Sequence, residues 1–323
     1  MSLAPFVRIL GRGPGRARSL TQQEARDAMR AMLAPEAAPE AVGAILMLLR
    51  MKGETAEEIA GLAEGARDAL PPWSGPAPAL DWPSYAAGRS RGLPLFLLSA
   101  RLVAAAGRPV LLHGWNSHQG EAASVRAALP ALGIGTAADA GDAARRLARG
   151  GIAYLPLEAL SPGLLSLLRL RDVLGLRSCV NTVLRMLNPA GAPAAVQGVF
   201  HPAYREVQRD AGALLGLPRL TVLKGGGGEF EHHAAKDIAL FGLRDGAPWD
   251  GGTGQAVEDR RRLAEPEDDP SRLGALWRGE VADSFAEAVV VSTAALALDT
   301  AGAPDARALA RDLWRGRSRV LAA

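Results

Sequence analysis

Short apolar runs recur through the chain, each separated from the next by a segment with helical spacing, and that alternation narrows the fold most. Val110 to Leu112, Ile152 to Leu155, Ala195 to Phe200 and Leu220 to Leu223 read as buried strands. A helix over 94–106, with Leu95, Leu98 and Leu102 on one face, ends at Gly107, and a second covers 203–215. Strands alternating with helices predict an α/β fold with a mostly parallel central sheet. Segments 271–279, 281–299 and 304–315 read as closing helices, and 247–270 as a loop-like insert of mixed charge.

The first 75 residues differ. Thr21-Gln22-Gln23-Glu24 and Thr55-Ala56-Glu57-Glu58 are capping boxes. Val42, Ile45, Leu46 and Leu49 share one helical face, and Gly53 is placed to end that helix. Three short helices are expected, followed by a rigid connector at Pro71, Pro72, Pro76 and Pro78. The division expected is a flexible basic arm over 1–18 (Arg8, Arg12, Arg16, Arg18 among Gly and Pro), a helical unit over 19–75 with returns near 160–185, and an α/β unit over 76–323. With 37 Lys and Arg against 34 Asp and Glu, the formal charge is +3, which permits nucleic-acid binding without arguing for it. One cysteine, Cys179, excludes an intramolecular disulfide. No run approaches the ~20 apolar residues of a membrane span, and nothing reads as a signal peptide, so a cytoplasmic protein with no membrane partner is expected.

Two longer motifs carry a resemblance. Arg171 to Pro189 reads RDVLGLRSCVNTVLRMLNP, and Leu46 to Leu70 reads LMLLRMKGETAEEIAGLAEGARDAL. The first resembles R-x-x-L-G-x-R-T-x-F-N-x-L-G-P-L-x-N-P of the anthranilate phosphoribosyltransferases, and the second that family's A-L-R-x-K-G-E-T-x-E-E-I-A-G-L. The resemblance implies the fold of glycosyltransferase family three: a small helical domain, a larger α/β domain, an active-site cleft between them, and a homodimer paired through the helical domain.

The departures concentrate where that family does its chemistry. Its phosphate loop G-T-G-G-D-G brings bare glycine backbone to a pyrophosphate. Here Trp82 to Gly92 reads WPSYAAGRSRG, with new cations at Arg89 and Arg91, which could fork a phosphate without a glycine nest. The family's K-H-G-N-R-S aligns with Leu112-His113-Gly114-Trp115-Asn116-Ser117, losing the lysine and gaining Trp115. His113 is either catalytic or a structural histidine bonded to backbone, and Trp115 either stacks on a base or packs under its loop. The acidic pair D-G-L-D-E aligns with Gly227-Gly228-Glu229-Phe230-Glu231, leaving Glu231 as a weak candidate metal ligand. Lys224 before four glycines suggests an anion-contacting loop. Arg171 aligns with the arginine that holds the aromatic acceptor's carboxylate. Arg177 and Asn181 also match, and Arg185 is an added cation. His232-His233 and His113 with His118 lack metal-binding spacing.

Two functions follow. The stretches Asp81 to Pro94 and Lys224 to Glu231 are similar to those of the YbiB-type branch, which the resemblance implies binds DNA or RNA without sequence preference and without a cofactor. Under this reading Arg89, Arg91, Arg171, Arg185 and Lys224 meet phosphates and Trp115 stacks. The alternative is an active phosphoribosyltransferase that passes phosphoribose from its diphosphate to an aromatic acceptor, with Mg²⁺ required only in that case.

Overall fold

The computed structural model describes residues 2–13, 15–85, 92–116, 124–259, 261–263 and 269–317. Chain order begins with four helices, α1 (Ala4–Gly11), α2 (Gln22–Leu33), α3 (Pro39–Lys52) and α4 (Ala56–Asp68). Both capping boxes form as read, with Thr21 and Thr55 accepting from the third helical N–H and Glu24 and Glu58 reaching back. The box at α4 does more than cap. Glu58 is buried, and its carboxylate also accepts the Leu20 N–H at 2.9 Å and the Lys52 ammonium at 2.7 Å. Helices α2 and α4 pack closely because Gly61 has no side chain. A Cβ there would lie 2.0 Å from the Gln22 carbonyl.

The expected flexible arm is a correction. Leu3, Phe6 and Leu10 recur at i, i+3 and i+7 and are buried, so Ala4–Gly11 is helical and packs on α3. Pro5 sits in the first turn, where its missing N–H costs nothing. The glycines and arginines that argued against a helix mostly follow its end.

The α/β unit runs β1 (Leu80–Ser84), α5 (Phe96–Ala105), β2 (Val110–Gly114), α6 (Val125–Ala128), α7 (Ala140–Gly150), β3 (Ile152–Pro156), α8 (Leu157–Leu160), α9 (Pro162–Leu174), α10 (Val180–Arg185), β4 (Ala194–Val199), α11 (Tyr204–Leu214) and β5 (Arg219–Lys224). It closes with β6 (Ala239–Arg244), β7 (Ala247–Gly252), α12 (Ser271–Arg278), α13 (Ser284–Thr300) and α14 (Ala306–Arg315). Among the described residues the strands form one sheet in the order β3-β2-β1-β4-β5-β6-β7. The first five are parallel, and β6 and β7 extend the sheet antiparallel. The loop expected over 247–270 therefore begins as a strand. Its APWDGG sequence hides that, because an edge strand exposed on both faces needs no apolar alternation.

Alternation of side chains divides the core in two. Val110, Leu112, Ile152 and Tyr154 face α5, α13 and α14, while Leu111, Ala153 and Leu155 face the helical unit with α9 and α10. Side-chain hydrogen bonds join the helical and α/β units. Arg67 donates to the carbonyls of Leu187 (2.6 Å) and Met186 (2.7 Å), Arg50 to that of Arg177 (2.6 Å), and the Tyr204 hydroxyl to Glu54 (2.8 Å).

Arg67→Ala strips two buried carbonyls of charged donors. Urea denaturation is expected to show about 3 kcal/mol lower stability, since bonds to charged groups contribute ~1.5–3 kcal/mol each.

Candidate functional site

All five parallel strands end on one side of the sheet, and the sequence-predicted residues gather at those carboxyl ends. Beyond β1, Tyr85 is buried, and its hydroxyl lies 2.9 Å from His113 Nδ1. The other ring nitrogen of His113 faces the Asp81 carboxylate at 3.2 Å. With Nε2 protonated toward Asp81, Nδ1 accepts the Tyr85 proton. His113 is thus bonded to side chains rather than to backbone, and with no exposed surface it reaches no ligand. Burial pushes the Tyr85 hydroxyl well above its ordinary range, so it stays a donor.

A second polar chain starts one residue earlier. Ser84 Oγ donates to Glu229 Oε1 at 2.8 Å, and Asn116 Nδ2 donates to the same Oγ at 3.2 Å. The Tyr154 hydroxyl donates to Asn116 Oδ1 at 2.8 Å. Glu229 reaches Ser84 because the loop after β5 folds back over β4. A Cβ on Gly198 would lie 2.1 Å from the Glu229 carbonyl carbon, so only glycine admits that loop. Gly226 to Gly228 make a tight turn, with Gly227 left-handed at φ 64°, and Lys224 stands exposed just before it.

The cations divide into surface and interior. Arg171 lies with its guanidinium carbon 5.6 Å from the centre of the Trp115 ring and its Nε 3.4 Å from Asp172. One face of the Trp115 ring is therefore taken by Arg171. Arg177 is exposed, and its pKa is lowered by partial burial and then by the charges of Arg171 and Arg50. Arg50, absent from the sequence-based site, belongs to this cluster. Its signal was available, for it lies within the Leu46 to Leu70 match. Arg185 is a correction: it was expected at a phosphate, yet it is buried, donating to the carbonyls of Asn181 (3.1 Å) and Tyr85 (3.0 Å). Asn181 takes part through that carbonyl. Arg89 and Arg91 lie outside the described residues.

Comparison with known proteins now bears on this geometry. Residues 5–70 match the family model described as glycosyl transferase family, helical bundle domain. The anthranilate phosphoribosyltransferase of Methylobacterium nodulans is 30% identical over 94% of this chain and 90% of its own length. The chain belongs to the anthranilate phosphoribosyltransferase family. That of Halobacterium salinarum is also 30% identical, over 90% of this chain and 87% of the relative. The crystal structure of the Thermus thermophilus anthranilate phosphoribosyltransferase superposes with a TM-score of 0.80 at 25% identity, covering 97% of this chain and 94% of that one. The Saccharomyces cerevisiae enzyme, solved in complex with PRPP and Mg, shares the fold with a TM-score of 0.75 at 14% identity.

The metal in that yeast complex raises the question of whether the family's acidic positions could hold one here. Glu231 is fully buried, and its Oε2 accepts the Phe96 N–H at the start of α5 at 2.9 Å. Phe230 is fully buried edge-on to Trp82, with ring centres 5.5 Å apart. Trp82 in turn stacks on Phe96 at 6.1 Å. These residues do not fit a magnesium ion: Glu231 anchors the start of α5, Glu229 binds Ser84, both carboxylates are buried, and Phe230 between them in sequence offers no ligand atom. Among the described residues no three His, Cys, Asp or Glu side chains are grouped as a metal would need. No helix among them is long and apolar enough to cross a membrane.

His232 fastens the same loop to α13. Its Nε2–H donates to the Lys236 carbonyl (3.1 Å), and Nδ1 lies 2.8 Å from Ser292 Oγ. Burial holds its pKa down to about 4. The folded form therefore resists protonation that the unfolded chain accepts below ~6.5, and stability falls as pH drops from 6.5 toward 4. Thermal melts are expected to show a loss of roughly 2 kcal/mol by pH 5 from this group, smaller in His232→Gln. Gly198→Ala drives a methyl into the Glu229 backbone. It is expected to cost about 3 kcal/mol, read from the same melts.

Proposed function

We propose that this cleft binds a pentose phosphate, and that phosphoribosyl transfer from a diphosphate donor to an aromatic acceptor is the activity with the broadest support. The observation that carries it is an identity of 30% over 94% of the chain. The chemistry of the cleft is compatible. Diphosphate departure develops negative charge, which exposed Lys224 and the Arg50, Arg171 and Arg177 cluster can offset without reorganisation. Arg171, braced by Trp115, is suited to an acceptor's carboxylate. A homodimer paired through the helical unit belongs to the same proposal, supported by the exposed apolar side chains of Met51, Val173 and Leu176.

A second reading, non-specific binding of DNA or RNA, has one observation in its favour. The acids that would meet a metal-bound diphosphate are turned inward, on Ser84 and on the Phe96 N–H, while Arg50, Arg177 and Lys224 are exposed. Such a cleft suits a phosphodiester backbone.

One pair of measurements separates the readings. Protein is incubated with phosphoribosyl diphosphate, anthranilate and Mg²⁺, and anthranilate fluorescence is followed. Separately, a labelled single-stranded oligonucleotide is titrated at two salt concentrations. Transfer predicts loss of fluorescence that slows at least tenfold in Arg171→Ala. The nucleic-acid reading predicts no turnover and oligonucleotide binding that weakens steeply with salt. Neither turnover nor binding would overturn both.

A further inference from the structure

We propose that Phe200 is the ring-stacking surface of a nucleotide subsite at the carboxyl ends of β4 and β5. This rests on the pentose-phosphate reading of the cleft and adds the ring that such a ligand would carry.

The sheet changes its direction of winding between β1 and β4. From β1 the chain builds outward through β2 and β3 on one side, and through β4 and β5 on the other. In open α/β sheets the crevice outside the carboxyl ends at such a switch point is where ligands lie. Here β1 and β4 are in register only at Asp81 and Ala195, so their ends part beyond that point. Glu229 occupies the inner part of the gap, on Ser84. Phe200 is the first residue after β4, at the outer part.

Its exposure is the unusual feature. Phe200 is 47% exposed, and among the described residues with exposed large hydrophobic side chains it is the aromatic one. An apolar ring left in water at a cleft mouth favours a partner with a π-face, and base–aromatic stacking is sequence-tolerant for that reason. The neighbouring groups supply the rest of a nucleotide's chemistry. Val199 pairs with Lys224, so an exposed ammonium stands on the adjacent strand one position back from the ring. Gly228, left-handed at φ 97°, lies in van der Waals range of Phe200 and presents backbone without a side chain there. His201 packs at right angles against Phe200, with centres 5.0 Å apart, and braces it. A base on Phe200 and a phosphate at Lys224 would be bridged by the pentose.

Calorimetric titration with adenosine 5′-monophosphate and with ribose 5-phosphate tests this, because the two differ by the ring alone. Wild-type protein is expected to bind the mononucleotide about fivefold to a hundredfold more tightly. Phe200→Ala should bring the two affinities together by weakening only the mononucleotide, Phe200→Trp should keep the preference, and Lys224→Ala should weaken both. Equal affinities in the wild type, or a preference that survives in Phe200→Ala, would overturn the subsite while leaving the pentose-phosphate reading standing. If neither compound binds the wild type, that reading falls and the subsite with it.

Discussion

The return of the loop after β5 across Gly198 is the constraint on which the carboxyl edge of this sheet depends. It places Glu229 between the parting ends of β1 and β4, where Ser84 receives it. Once Glu229 is held, Phe230 falls into the space beside Trp82 and Phe96, and Glu231 meets the first N–H of α5. A carboxylate at a helix N-terminus is favourable in itself. Each carboxylate thus gains a stable partner within the fold, and the segment is as much a structural joint as a ligand site. The anthranilate phosphoribosyltransferase scaffold is kept, and this edge of the sheet is packed with aromatic and hydrogen-bonded groups.

The cations show what the cleft retains. Arg185 is committed to backbone carbonyls and ties α10 to the end of β1. Arg50 and Arg171 lie close enough to Arg177 for their charges to lower its pKa. Cys179 adds nothing to this chemistry: burial raises its thiol pKa, and it serves as packing.

Much of this was legible in the sequence, for identifiable reasons. Both capping boxes are local signals whose partners lie three residues apart, and both formed. The runs at Val110, Ile152, Ala195 and Leu220 are buried on both faces, so apolar content alone revealed them. β1 is not legible in the sequence, because Leu80–Ser84 contains Trp82 and Pro83 and overlaps the stretch aligned with a phosphate loop. Pro83 is tolerated there because the β1–β4 pairing is confined to Asp81. At the site, the sequence named His113, Arg171 and Glu231 but could not tell their directions. Whether a side chain faces ligand or core is set by contacts distant in sequence, such as Phe96 to Glu231. Phe200 was counted within a strand, and its exposure depends on β4 ending one residue earlier.

The antiparallel extension has a consequence for how copies of this protein meet. β7 is the sheet's edge in the described chain, and all but one of its residues are exposed. It carries Pro248, which offers no N–H, and Asp250, which places charge on the strand. Both make an edge a poor template for a further strand. The sheet therefore ends at β7 by composition rather than by cover, and strand-to-strand polymerisation is disfavoured even where local concentration is high.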